Sequence, residues 1–174
     1  MPLDLNDPRW QELNSSYGDV SDVVAWLSEA CAEGGLSDER RGDLINEIQH
    51  QDGTCTAMYA VALHFVALAR DGDDLSALQL LTDAGLIYAS AGRPDAVPCP
   101  AFLRDEFIQT APGAARALSE LLPQALEFDR FKYGVAALAG FLGHDKFARF
   151  LDGLDLHEGR FYHTLLGGAF PEQR

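Results

Sequence analysis

Apolar residues recur every three or four positions through most of this chain, and glycine, proline and short polar breaks divide that pattern into helix-length segments. The most telling stretch is residues 43 to 70, DLINEIQHQDGTCTAMYAVALHFVALAR. It reads as an amphipathic helix, a tight polar turn (Gln51, Asp52, Gly53, Thr54), and then a helix that is apolar on almost every side. Only a helix wrapped by others can hide such a surface. The pattern therefore predicts a central helix inside a layered helical assembly, which is a statement about packing and supplies no chemistry.

The other segments follow the same period. Asp7 before Pro8 suits an N-cap with proline at the first helical position, followed by Trp10, Leu13 and Tyr17, with Gly18 as the stop. Ser21 is a candidate cap for the next helix, whose stripe is Val20, Val23, Val24, Leu27 and Cys31 before Gly34 and Gly35. Ser37 opens a third with Leu44, Ile45 and Ile48 inward. After the apolar helix, Asp73 and Asp74 place negative charge at the start of another that carries Leu75, Leu78, Leu81 and Leu86, with Gly85 weakening its second half. Pro94, Pro98 and Pro100 make residues 92–100 a candidate linker between subdomains.

Beyond the linker the expectation is a short helix from Ala101 to Gln109 and a second from Gly113 to Leu122, separated near Pro112. Pro123 opens or kinks a further helix bearing Phe131, Val135, Leu138 and Leu142, and Asp145 to Leu151 forms one more. Residues 159–174 stay unassigned, because Arg160 to Thr164 suits strand as well as helix. Antiparallel helices joined by short gaps around one apolar helix predict an all-α single domain over residues 1–174, an α-solenoid or compact helical-repeat bundle.

Composition adds size and charge. A chain of 174 residues that is 47% hydrophobic can build one continuous core. Its formal charge is −14, concentrated in residues 1 to 75, where fifteen acidic and four basic residues leave −11. Such a field repels phosphates and anionic lipid headgroups, which argues against nucleic acid and membrane surfaces as partners and favours a basic protein. The N-terminus has neither a basic region nor an apolar core of a leader, so the expected location is the cytoplasm. The apolar run from Ala57 to Ala69 is broken by His64 and is too short for a bilayer. Cys31, Cys55 and Cys99 lack CxxC spacing, so no disulfide framework, no thiolate metal site and no cofactor is expected.

Two motifs point to a family. Trp10, Leu13, Tyr17 and Gly18 are spaced as W-x-x-L-x-x-x-Y-G, and His50, Gln51, Gly53 and Thr54 read H-Q-x-G-T, followed by Tyr59, Ala60, His64 and Val66. In these features the first 70 residues resemble bacterial HEAT-like helical proteins, largely uncharacterised, some of them associated with immunity to polymorphic toxins. Leu63 departs from the pattern, which has proline before the histidine. The resemblance implies a helical scaffold and carries over no catalytic residue.

Candidate chemistry is sparse. His50 near Cys55 invites a nucleophile-and-base reading, and His64 could join them in a pocket beside the 50–55 turn. Against this, His50 suits a cation at a helix C-terminus, and a histidine inside an apolar helix is more often a core residue bonded to a carbonyl. His157 and His163 lack the spacing of a metal pair on one helical face. More specific is the second helix: Trp26 points about 120° from the core stripe, at ~100° per residue, and shares that side with Asp22, Glu29 and Glu33. An indole among carboxylates suits the anchor site of a basic partner, although a stacked neighbour would bury it equally well.

The sequence therefore reads as a non-enzymatic acidic binding scaffold, with toxin immunity as the role that the resemblance implies. A small enzyme with a pocket near residues 50–55 is the first alternative. A structural homo-oligomer packed through the aromatic tail, Phe161, Tyr162 and Phe170, is the second.

Overall fold

The computed structural model describes residues 2–50, 53–125 and 128–153, without the side chains of residues 128 and 129. The calls on His157, on the tail at 159–174, including His163 and the aromatic residues, and on Gln51 and Asp52 lie outside the described residues. Within them the protein is all-α: α1 (Ser21–Glu33), α2 (Asp38–Ile48), α3 (Ala57–Leu68), α4 (Asp74–Ala91), α5 (Ala101–Leu121), α6 (Phe128–Phe141) and α7 (Asp145–Asp152). Two 3-10 turns, Pro8–Glu12 and Leu122–Gln124, complete the set. None of the described helices is long and apolar enough to cross a membrane.

Side-chain caps explain three of the helical starts. Oδ1 of Asp7 accepts from the Arg9 amide, Oγ of Ser37 from Arg40 and Oδ1 of Asp73 from Ser76, each satisfying a first-turn donor. Helix α1 differs, since its cap position is Val20, not the expected Ser21, and the Ser21 amide is held by Asp19 two residues earlier. Its other end closes at Gly34 in the left-handed region (φ +74°).

Helix α3 is the central helix that the apolar run requires. Every residue from Ala57 to Val66 is buried, because α1, α4 and α5 pack around it. Its N-terminus is capped from a distance: the backbone carbonyl of Asn14 accepts from the Ala57 amide (3.0 Å), and Asn14 Oδ1 accepts from the amide (3.0 Å) and hydroxyl (2.6 Å) of Thr56. The segment from Leu3 to Leu13 lies over the same helix with Leu3, Trp10 and Leu13 buried. One hydrophobic core runs from Leu3 to Phe141.

Residues 92–100 are strapped to this core. Both polar groups of Val97 are used, its amide by Thr54 Oγ1 (3.0 Å) and its carbonyl by the Tyr59 hydroxyl (2.6 Å). Burial pushes the Tyr59 hydroxyl up to about 12, so it remains a donor.

Two local expectations are corrected. The first helix is a single 3-10 turn, because the chain bends back at Ser15 and Gly18 (φ +125°), leaving Tyr17 outside it. The two short helices around Pro112 are one, α5, running unbroken through it. Its apolar stripe, Leu103, Phe107, Ala111, Ala114 and Leu118, stays in register across the proline, and the carbonyl that the ring displaces belongs to solvent-exposed Ile108, where water can satisfy it. Gly85 lies within α4, whose span Asp74–Ala91 is unbroken, and its intrinsic helix cost goes with a close approach between helices. An added Cβ would lie 2.5 Å from the Ala137 carbonyl oxygen, so glycine lets α6 approach at backbone distance.

Candidate functional site

The acidic face is built from the α1–α2 hairpin. Asp22, Glu29 and Glu33 are exposed on α1, and Trp26 is half-buried, with part of its indole against the core. The turn at Gly34 and Gly35 brings α2 back alongside, and Arg40 reaches over the indole with its guanidinium carbon 5.0 Å from the ring centroid. The same guanidinium lies 3.5 Å from Glu29 and 3.3 Å from Asp43. Trp26 and Glu29 are thus brought together around a cation, while Asp22 and Glu33 remain as flanking surface charge. Sequence reasoning missed Arg40; its signal was the Arg40–Arg41 pair, which supplies half of the four basic residues in the first 75.

The residues of the alternative pocket each have other business. His50 directly follows Gln49, the C-cap of α2, at the C-terminal end of that helix. Its Nδ1 is 2.7 Å from the Tyr17 hydroxyl, with Asn46 3.3 Å from both groups, and the two rings stack obliquely at 5.0 Å. The motifs around Tyr17 and His50 therefore meet in space. Cys55 is buried and its thiol donates to the Ile48 carbonyl at 3.3 Å. Burial pushes that thiol up, the opposite of what activates a nucleophile. His64 is buried too, and its Nε2–H donates to the Leu3 carbonyl at 2.9 Å, with the Trp10 ring 5.9 Å away. Burial depresses its pKa and keeps it neutral. It pins the N-terminal segment to α3.

A second feature was invisible in the sequence. Between α2, α4 and the start of α6 opens a cleft of about 480 Å³. One face of α4 forms its wall with Leu78, Gln79, Thr82, Asp83 and Leu86, and Arg41 and Arg130 enter from α2 and α6. Arg41 spans to α4, its guanidinium 2.7 Å from the Asp83 carboxylate. Burial pushes the Asp83 carboxyl up against the pull of Arg41. For the arginine, burial works against the cation, and Asp83 and Asp38 together outweigh it, raising its pKa. Arg41 lies 42 positions from Asp83, so no local pattern could pair them.

Among the described residues no three His, Cys, Asp or Glu side chains gather at metal-binding distance. No family model, no curated protein and no solved structure matches the chain.

Proposed function

We infer that the chain is a non-enzymatic, acidic protein-binding scaffold whose α1–α2 face takes a basic partner protein. The observation that supports this reading is Arg40 on Trp26. A guanidinium above an indole and beside Glu29 is the contact that an arginine of a partner would make, so the face is chemically fitted to that group. Asp22 and Glu33 extend the negative field around it, and a field of that kind steers cationic partners at a rate that falls with salt. A basic toxin, held by an acidic surface that competes with its natural anionic target, is the partner class in which this physics is most useful.

The test is capture from the native host on immobilised wild-type protein and on the triple variant Asp22→Asn, Glu29→Gln, Glu33→Gln, at low and high salt. Basic proteins retained by the wild type, released by salt and lost on the variant support the reading. Equal retention on both overturns it.

A further inference from the structure

We propose that Arg40 is a built-in occupant of an arginine seat at Trp26, which an arginine of the partner displaces in order to bind. The inference rests on the α1–α2 face being the docking surface, and adds what that face selects and what fills it when free. The seat has an aromatic floor and two carboxylate walls. The Arg40 guanidinium lies 5.0 Å above the indole centroid, its Nε 3.5 Å from Glu29 on α1 and its Nη1 3.3 Å from Asp43 on α2. A guanidinium suits this set because its flat face stacks on a ring while its N–H groups point outward in the plane toward carboxylates. The lysine ammonium, a compact and strongly hydrated point charge, has no such face. The seat therefore sorts arginine from lysine, which the negative field of the molecule cannot do.

Arg40 holds the seat weakly. Its side chain is 37% exposed, that of Glu29 56% and that of Asp43 47%, so water screens both ion pairs and each is worth little. A cation above an exposed ring adds only a modest attraction. The next residue shows the contrast: Arg41 lies 2.7 Å from Asp83, whose side chain is 14% exposed, and is tied to α4. Of two consecutive arginines one is fixed and the other replaceable. Asp43 stands three residues beyond Arg40 on the same helix, so Arg40 keeps that partner on leaving the indole, while Glu29 on α1 passes to the incoming arginine. The exchange conserves the stacked contact and one ion pair, and the net gain comes from the rest of the partner's surface. A basic protein with no arginine at this position leaves Arg40 in place and forgoes the indole.

The test titrates the full chain with a capped four-arginine peptide and its four-lysine counterpart, followed by NMR of the Trp26 indole N–H and of the Arg40 side-chain protons. In the free chain the ring current of the indole displaces the Arg40 protons from their usual positions. As the arginine peptide saturates the Trp26 signal, they should move toward those positions. Arg40→Gln should tighten the arginine peptide about threefold, the worth of one exposed cation–π contact. Arg9→Gln is the charge-matched control, since Arg9 stacks on Phe102 instead, and should change the affinity by less. The lysine peptide should bind the wild type more weakly than the arginine peptide does. Should Arg40→Gln fail to fold, the Arg40 signals of the wild type decide alone. Binding at Trp26 with the Arg40 signals unmoved, equal tightening in Arg40→Gln and Arg9→Gln, or equal binding of the two peptides would each overturn the proposal and leave the docking face intact. A Trp26 signal that neither peptide moves, in the wild type or in Arg40→Gln, overturns the docking face and this proposal together.

Discussion

Gly140 packs directly on Gly85: a Cβ at position 140 would sink into the carbonyl oxygen of Gly85 and stand 3.0 Å from the amide of Ala89. Ala84, Ala89, Ala136, Ala137 and Ala139 are buried around this crossing, so α4 and α6 meet almost backbone to backbone. A methyl group there has rigid main chain to displace, not a side chain that can turn away. Gly140→Ala should therefore cost about 3 kcal/mol or more, at or above the top of the usual overpacking range. Gly113→Ala on α5, where a Cβ meets open space, should be neutral or stabilising by a few tenths. Thermal melts of the two variants make the comparison; equal melting temperatures would refute the close crossing.

The remote cap of α3 gives a second expectation. Asn14→Ala removes the side-chain oxygen that takes the Thr56 amide and hydroxyl, and should destabilise the fold by about 1–2 kcal/mol. Asn14→Asp keeps the acceptor beside a helix N-terminus and should retain most of the stability. Urea denaturation of both variants checks this, and an Asn14→Ala protein as stable as wild type would remove the cap from the account.

Stability should depend on pH through His64. Its folded pKa is depressed from 6.5 by burial, so between that folded value and 6.5 the unfolded chain binds the proton more. Stability is therefore complete above pH 6.5 and declines as pH falls toward the folded value. His64→Gln, which keeps an N–H for the Leu3 carbonyl, should flatten this part of the profile. Urea midpoints between pH 5 and 7.5 for the two proteins measure it, and parallel profiles would exclude His64 as the cause.

Thiol chemistry separates the scaffold from a cysteine enzyme. Cys31 is exposed, Cys55 is buried, and burial pushes half-buried Cys99 up to about 11. A thiol reagent at neutral pH should modify Cys31 rapidly and the other two slowly. Rapid, selective labelling of Cys55 would revive the enzyme reading.

Trp26 tests the acidic face itself. Its indole is half-buried, so Trp26→Ala should cost about half the 3–5 kcal/mol of a fully buried aromatic and leave a folded protein. Toward a basic partner this change should mainly speed dissociation, whereas neutralising Asp22, Glu29 and Glu33 should mainly slow association, less so at high salt. Arg40→Ala should uncover the indole and shift its emission to the red, at a stability cost below about 1 kcal/mol. Binding kinetics measured beside melting temperature distinguish these effects; unchanged dissociation for Trp26→Ala would remove the anchor.

What the sequence determined by itself is local. The run from Ala57 to Val66 required a helix buried on all sides, the caps at Asp7, Ser37 and Asp73 marked three starts, and the helical period along the chain led to an all-α protein. These follow from forces acting within a turn or two of the chain: apolar periodicity, orphan amides and glycine's freedom. Only the tertiary structure decided that Asn14 caps α3, that Tyr17 meets His50, that Arg40 occupies the Trp26 face and that Arg41 reaches Asp83. Each of these pairs joins residues separated by a reversal of the chain, and a hydrogen bond or ion pair depends on distance in space, which one-dimensional spacing does not encode. The same holds for Pro112, where the breaker signal is local but the stripe that carries α5 through it gains its energy from packing against α3 and α4.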